Sequence, residues 1–550
     1  MNSALIEELK KIIRGDVATD DGTLTKYSHD ASIFEIKPQV VVFPKNVLDV
    51  QNLVKFAATN KLNNHDLSLT ARAASTCMSG GGLNTSIIIA FQKYFNHKPH
   101  ITGNTATVEP GVFYRDLEKE TLKHHLIFPS YPSSREICAL GGIVNNNAGG
   151  EKSLGYGKTE DYVKELKMVL SDGNEYRIKP LNEHELKKKI AQDDFEGKLY
   201  KKIFNLIDEN YDIIKNAKPD VSKNSAGYLL WNVYDKEKKI FDLTKLFVGA
   251  QGTLGLMTEA KLHLVPTKKH TEMMILYMND FSRLAELVND ILPFKPESIE
   301  AYDDKTLKLA LKFFPEFAKK LGTRGILSTA LKFLPELELY KEHKLPKLVI
   351  QIEFASDELD DLTKKIEDLT EKLKSLHPTT KIAVDDEEKK YWLIRRDSFG
   401  LLRSHIKEMY SSPFIDDIVV KPEHLPKFLP EFYEIMDKYP SIKETFAGHI
   451  GNGNFHVIPL VKLTDPDEQI LIPQICQEVF ELVTKYKGST SGEHNDGWIR
   501  TPYLHLQFDK KILELFEETK KIFDPHGIFN PHKKVDGDLE FAMNHIRKSW

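Results

Sequence analysis

Apolar positions along the chain switch between two spacings. In MNSALIEELKKIIRGD they recur every three to four residues, which predicts an amphipathic, charged helix over residues 1–16. After Pro38 the β-branched run VVVFP reads as a strand closed by proline, and NVLDVQNLVKFAATN returns to helical spacing, so the chain opens in α/β style. Residues 66–92 and 101–111 alternate short β-rich runs with glycine clusters, and TEDYVKELKMVLSDGNEYRI reads as strand, Asp-Gly turn, strand. Residues 182–245 are richer in Lys, Asp and Glu and hold two helix patterns, before KLFVGAQGTLGLMTEAKLHLVP returns to β. After Pro266 the character changes. MMILYM reads as a buried strand and FSRLAELVNDIL as a helix, which predicts a boundary near residues 266–272. Strand KLVIQIEFA, helix DELDDLTKKIEDLTEKL and a second strand–helix set follow, and FEETKKIFDPHGIFNP is a helix stopped at Asp-Pro.

Composition narrows the class. At 550 residues the chain exceeds what one core supports, so two or three domains are expected. A net charge of −5 leaves no basic footprint, which argues against nucleic acid as a partner. The three cysteines, Cys77, Cys138 and Cys476, form no CxxC pair. That excludes a zinc knuckle and an attached iron–sulfur module, and it fits a reducing cytoplasm. The N-terminal helix has no apolar signal core, and no run of 18 apolar residues occurs, so no transmembrane helix is expected. Residues 303–347 carry ten Lys/Arg against six Asp/Glu, punctuated by three prolines. They read as a solvated helical insertion, with peripheral docking on the inner face of a membrane, or on a partner, as the alternative.

Three glycine-bearing loops lie in the first half: LTARAASTCMSGGGLNTSIII, PSYPSSREICALGGIVNNNAGG and LFVGAQGTLGLMTEA. None is GxGxxG or a Walker A loop, which argues against a Rossmann NAD site and a P-loop. Taken singly, such loops are more often turns than ligand sites. Their small residues nonetheless allow backbone N–H groups to cradle a pyrophosphate.

The second half carries sharper chemistry. In TFAGHIGNGNFHVIPL the turn run 451–454 predicts a hairpin that puts His449 and His456 on neighbouring strands, close enough to share a metal. The segment KGSTSGEHNDGWIR adds Glu493 beside His494. Two histidines and a carboxylate with an open position suit zinc first, with manganese or ferrous iron as alternatives. Arg395 or Arg396, in EKKYWLIRRDSFG, is the candidate cation for a substrate carboxylate, with Arg500 as a second.

In order, from about Pro38 to Pro266 and again to about Lys533, these segments resemble the vanillyl-alcohol-oxidase type of FAD-binding protein, specifically the D-lactate/glycolate/2-hydroxyglutarate dehydrogenase branch. The resemblance implies an α+β fold. A two-subdomain FAD-binding domain (1–270) would be followed by an α/β cap domain with an antiparallel sheet and the metal-binding hairpin (271–485), and by a small helical segment (486–550) returning to the flavin. It implies that Arg72, Ala73, Ala74, Ser75 and Thr76 wrap the pyrophosphate, followed by Ser79 and Gly80. Pro132, Ser133, Ser134, Gly141, Gly142, Asn145 and Gly149 would line the isoalloxazine and ribityl chain, Val163 would meet the adenine end, and Asn530 would face the flavin. By the same resemblance His449, His456 and Glu493 are metal ligands, His494 the base and Arg395 the substrate cation.

The chain also departs from the family pattern. Ser75, Asn495 and His532 stand where glycine is common, and Asn452 replaces an aspartate. Thr76 and Cys77 stand where some relatives attach flavin through histidine, so FAD is expected to be non-covalent. Ile415 stands where the family has a substrate lysine. The implied reaction takes a small D-2-hydroxy acid to its 2-oxo acid, with His494 removing the hydroxyl proton and hydride passing to flavin. The electron acceptor would be a quinone, an electron-transfer flavoprotein or a separate iron–sulfur subunit, and a homodimer is compatible with the sequence. The alternatives are a non-redox flavoprotein of the same fold, such as an alkyl-glycerone-phosphate synthase, an oxidase of another alcohol, a metal-dependent hydrolase or a binding protein.

Overall fold

Helix Ser3–Ile12, capped by Asn2 accepting from the Leu5 N–H, lays Leu5 and Leu9 against helix Val47–Asn60. Both cover a four-stranded sheet of Asp16–Ala18, Val40–Phe43, Ile87–Ala90 and Leu69–Arg72, in that order. Val40–Phe43 and Leu69–Arg72 run parallel to Ile87–Ala90 between them. Buried on both faces, these strands are continuous apolar runs rather than alternating ones. The computed structural model describes residues 1–312, 345–376, 379–383, 388–396 and 409–548. The basic insertion expected over 303–347 therefore lies largely outside the described residues.

A second, antiparallel sheet orders His100–Thr102, Thr105–Val108, Leu256–His263, Val163–Val169 and Glu175–Ile178. Its core is shared with helices Phe195–Glu209 and Lys510–Phe523, the latter arriving from the far end of the chain. The C-terminal segment also touches the first sheet directly. Leu69 N–H donates to the Ile528 carbonyl, and Asn530 N–H returns a bond to the Leu69 carbonyl.

The chain leaves the second sheet at His263 and enters a third at His270. That sheet is antiparallel throughout its described strands, in the order Thr379–Ala383, His270–Met278, Leu348–Ser356, Ser298–Asp303, Lys443–His449, Asn454–Val461 and Tyr410–Ser411, with Ile418–Val419 also paired to Asn454–Val461. Alternate residues face opposite sides. Met274, Leu276, Ile350 and Ile352 pack under helices Leu284–Ile291, Leu359–Leu373, Leu425–Asp437 and Pro466–Lys485. Met273, Ile275 and Val349 face a smaller core with Tyr391, Trp392 and Ile394. Strand Ser298–Asp303 is buried along its whole length although it contains Glu300 and Asp303, and a buried charge persists only when it is paired. No helix among the described residues is long and apolar enough to cross a membrane.

Candidate active site

A cavity of about 750 Å³ opens where strands of the first two sheets end. The turn after Leu69–Arg72 supplies Arg72, Ala73, Ala74, Ser75 and Thr76, and helix Leu140–Asn146 supplies Gly141, Gly142 and Asn145. Cys77 completes the wall together with Asp30, Gly81, Gln251 and Met257, four residues that the motif reading did not single out. Ser75 has φ 64°, a left-handed conformation that favours glycine, which explains why glycine is common there. Its hydroxyl accepts from Arg72 Nε at 2.7 Å. The rest of the Arg72 guanidinium donates to the Tyr27 and His29 carbonyls, so it braces the loop.

The structure separates the places of the remaining predicted residues. Asn530 is buried behind it, donating to the Gly81 and Gln251 carbonyls at 2.9 and 2.7 Å and accepting from Thr70. The Ser79 hydroxyl donates to the His494 carbonyl at 3.1 Å, and Gly80 packs under Phe34 and Trp498, where a Cβ would come within 2.8 Å of the Phe34 ring. Pro132, Ser133, Ser134, Gly149 and Val163 are not among the residues lining the cavity. Gly149 lies instead against the metal-ligand candidate Glu493: a Cβ there would sit 2.9 Å from Glu493 Oε2.

The histidine centre is built on the hairpin Lys443–His449/Asn454–Val461, in which His449 pairs with Asn454 and Ala447 with His456. Gly453 closes the turn at φ 65°, and a Cβ on it would lie 1.7 Å from the Val420 carbonyl oxygen. The two imidazoles stand edge to face with centroids 5.0 Å apart. Both aim Nε2 at one oxygen, Glu493 Oε1, at 3.0 Å from His449 and 3.1 Å from His456. Each is held from behind by a carboxylate: His449 Nδ1 donates to Glu300 at 2.5 Å and His456 Nδ1 to Asp416 at 3.0 Å. Such outer carboxylates orient metal-binding histidines and set their tautomer.

Asp417 organises the loop bearing Glu493 and His494. Its carboxylate accepts from the Ser491 hydroxyl and from the backbone N–H groups of Glu493 and His494 at 2.7–2.8 Å, and from Asn454 at 3.0 Å. Asp417, His456, Glu493 and His494 also offer ligand atoms within 4.8 Å of one another. Both Asp417 oxygens are engaged, Oδ2 by that loop and Oδ1 by Asn454 of the hairpin, whereas His449 Nε2 faces the shared Glu493 oxygen. His494 Nδ1 lies 3.0 Å from the second oxygen of Asp416, close but poorly aligned for a hydrogen bond.

Charge balances within this cluster. Burial works against ionising Glu493, yet Lys223 and the two imidazoles hold its carboxyl well below the ordinary range. Burial also opposes charge on His456, and Asp416 overrides it, pushing the imidazole up to about 10. His494 is raised in the same way by Asp417 and Asp416. The donor set of two imidazoles and a carboxylate fits a divalent cation that would replace the proton between His456 and Glu493. Glu493 Oε2 is buried with no hydrogen-bond partner, its nearest cation being Lys223 Nζ at 3.7 Å.

The arginines divide. Arg395 Nε donates to Glu300 at 3.0 Å, which attaches it to the histidine centre, whereas Arg396 pairs with Glu151. Arg500 is fully buried and spent on the carbonyls of Thr490, Asn495 and Asp416, so it is not a free cation for substrate. Ile415 lies in the apolar core. Asn452 faces Ser222 rather than the imidazoles. Asn495 and His532, like Ser75, have left-handed φ, 68° and 62°. Asn495 also donates to the Gly249 and Asn146 carbonyls and accepts from Lys534, which ties the histidine loop to the cavity wall.

Two known domains match the chain. Residues 38–179 match the FAD binding domain, and residues 267–534 match the C-terminal domain of FAD linked oxidases. The chain belongs to the FAD-linked oxidases. It is 28% identical over 544 residues to a D-2-hydroxyglutarate dehydrogenase of Pantoea ananatis, covering 97% of this chain and 51% of that protein. It thus spans about half the length of this and several other curated relatives that it matches. A D-2-hydroxyglutarate dehydrogenase of Stutzerimonas stutzeri is 28% identical over 551 residues, with 96% of this chain and 98% of that one covered. Among solved structures, a 4-ethylphenol oxidase from Gulosibacter chungangensis has a TM-score of 0.70 at 15% identity, with 98% of each chain covered. That likeness bears out the α+β, vanillyl-alcohol-oxidase-type fold expected from the sequence.

Proposed function

We propose that this chain oxidises a small D-2-hydroxy acid to the 2-oxo acid, using non-covalent FAD and a divalent metal, zinc first among the candidates. The observation that carries the reading is the convergence of two carboxylate-backed imidazoles on one buried glutamate, on a loop that also bonds to the cavity wall. The names of the relatives support the substrate class, with D-2-hydroxyglutarate and D-lactate as the compounds to test. When bound, FAD supplies a two-electron acceptor and the metal a Lewis acid.

In this reading Arg72, Ala73, Ala74, Ser75, Thr76, Ser79 and Gly80 hold the diphosphate part of FAD. Pro132, Ser133, Ser134, Gly141, Gly142, Asn145, Gly149 and Asn530 hold the ring and ribityl portions, with Val163 at the adenine end. His449, His456 and Glu493 hold the metal. His494, whose Nδ1 faces Asp416, takes the substrate hydroxyl proton at Nε2, the ring atom left open. Arg395, oriented by Glu300, neutralises the substrate carboxylate. Residues 1–270 carry the flavin, 271–485 the hairpin and substrate side, and 486–550 return the chain beside the cavity.

Purified protein should be yellow, and anaerobic addition of a D-2-hydroxy acid should bleach it while the L-enantiomer does not. A chelator should stop bleaching and added Zn²⁺ should restore it. Colourless protein, or a flavin that no 2-hydroxy acid reduces, overturns the proposal.

A further inference from the structure

One carboxylate reaches two imidazoles to which the functional reading gives different duties. Asp416 Oδ1 accepts from His456 Nδ1 at 3.0 Å, and Oδ2 lies 3.0 Å from His494 Nδ1. The two rings lie near parallel, with centroids 5.1 Å apart and planes at 24°. Asp416 is buried, and its own carbonyl is held by Arg500 at 2.5 Å, so its fork cannot swing freely between the rings. A neutral imidazole that gives its Nδ1 hydrogen to a carboxylate keeps its lone pair at Nε2, the form that both a metal ligand and a general base require.

We propose that Asp416 is a positioning residue that sets the tautomer and ring orientation of His456 and His494 together, so that metal capture and proton removal depend on one carboxylate. This rests on the functional reading above, with His456 as ligand and His494 as base. No neighbouring acid duplicates the role. Asp417 is taken up by the Ser491 hydroxyl, two backbone N–H groups and Asn454, and Glu300 serves His449 and Arg395. Asparagine cannot substitute. Its amide has one accepting oxygen, so the ring facing its NH₂ would have to accept at Nδ1 and carry its proton on Nε2.

Asp416→Asn and Glu300→Gln separate this from ordinary support of the site. Two quantities are read for each: Zn²⁺ affinity by competition with a chromophoric chelator, and kcat at saturating Zn²⁺ with whichever 2-hydroxy acid bleaches the wild type. Glu300→Gln should lower Zn²⁺ affinity about 10- to 100-fold and, through Arg395, raise KM, and it measures what the loss of one imidazole-backing carboxylate does to metal capture alone. Asp416→Asn should lower affinity by a similar factor and also leave kcat down about 10²- to 10⁴-fold at saturating Zn²⁺, with FAD retained, because Zn²⁺ on His456 Nε2 keeps that ring's Nδ1–H on the amide oxygen and leaves the NH₂ to His494, the base, in the wrong tautomer. Asp416→Asn with wild-type kcat when loaded overturns the inference.

A structure of Zn²⁺-loaded wild type tests it without any variant. Asp416 should span both Nδ1 atoms in hydrogen-bond alignment, and His456 should bind through Nε2. A His456 bound through Nδ1, or an Asp416 turned away from His494, overturns it. Wild type that binds no Zn²⁺ fails the functional reading itself, whereas wild type that binds it beside an indistinguishable Asp416→Asn fails the inference alone.

Discussion

Metal capture at His456 has to displace a proton. Asp416 holds the metal-free imidazole up to about 10, so below that pH Nε2 is protonated and must release its hydrogen to become a ligand. At pH 8, Zn²⁺ binding should therefore release about one proton from this residue, and affinity should fall about tenfold per unit as pH is lowered. Calorimetry in buffers of different ionisation heat measures the release, and a proton count near zero would refute this account. His449, His456, Glu493 and His494 were legible in the sequence because their motifs are short and chemically dense. Glu300, Asp416, Asp417 and Lys223 were missed, although each left a trace. Acidic residues inside apolar runs, as in ESIEAYD and FIDDIVV, mark charges that the fold must bury and pair. Lys223 left the weakest one, an ordinary lysine in a polar stretch whose burial appears only once the chain is folded.

Elements explain why those residues meet. The hairpin was legible from the turn run between His449 and His456, and the two-residue alternation of its strands determines which side chains share a face. Its geometry depends on Gly453, where positive φ and the Val420 carbonyl both exclude a side chain. Gly453→Ala should destabilise the protein by at least about 2 kcal/mol, combining overpacking with backbone strain, and should reduce bound metal in the protein that still folds. Thermal unfolding and metal content measure the two effects, and wild-type values for both would contradict this description of the turn. The loops around the large cavity show the reverse case. Each glycine cluster alone is an ordinary turn, and only the ends of two separate sheets bring Ala73, Gly141 and Gln251 to one wall.

At the scale of the molecule, the cavity loops and the third sheet are joined by buried charge. Lys152, just before helix Ser153–Tyr156, bonds Glu297 at 2.5 Å and Glu353 at 3.0 Å, and the Tyr156 hydroxyl donates to Glu297 at 2.6 Å. Removing the lysine leaves the buried Glu353 carboxylate facing the partly buried Glu297. Lys152→Ala should cost about 3 kcal/mol in denaturant unfolding at neutral pH. Burial already raises the Glu353 carboxyl, and losing the lysine raises it further. A carboxyl raised in the folded state destabilises above its unfolded value and ceases to do so once protonated, so the deficit should shrink as pH falls towards the carboxyl range. A deficit that grew in acid would oppose this explanation.

By itself the sequence determined the α+β fold type, the order of the cavity loops and the histidine–glutamate motif. The fold type rests on the family resemblance, whereas the loops and the motif rest on local spacing: turn residues, and ligand types a few positions apart. Tertiary structure alone decided which carboxylate backs which imidazole, that Arg395 joins Glu300 while Arg500 is spent on carbonyls, and that Asn495 and Asn530 lock the C-terminal segment to the cavity. Those pairings join residues up to hundreds of positions apart. A buried charge takes whatever partner the folded backbone brings within reach, and nothing in the spacing of a single chain specifies that partner.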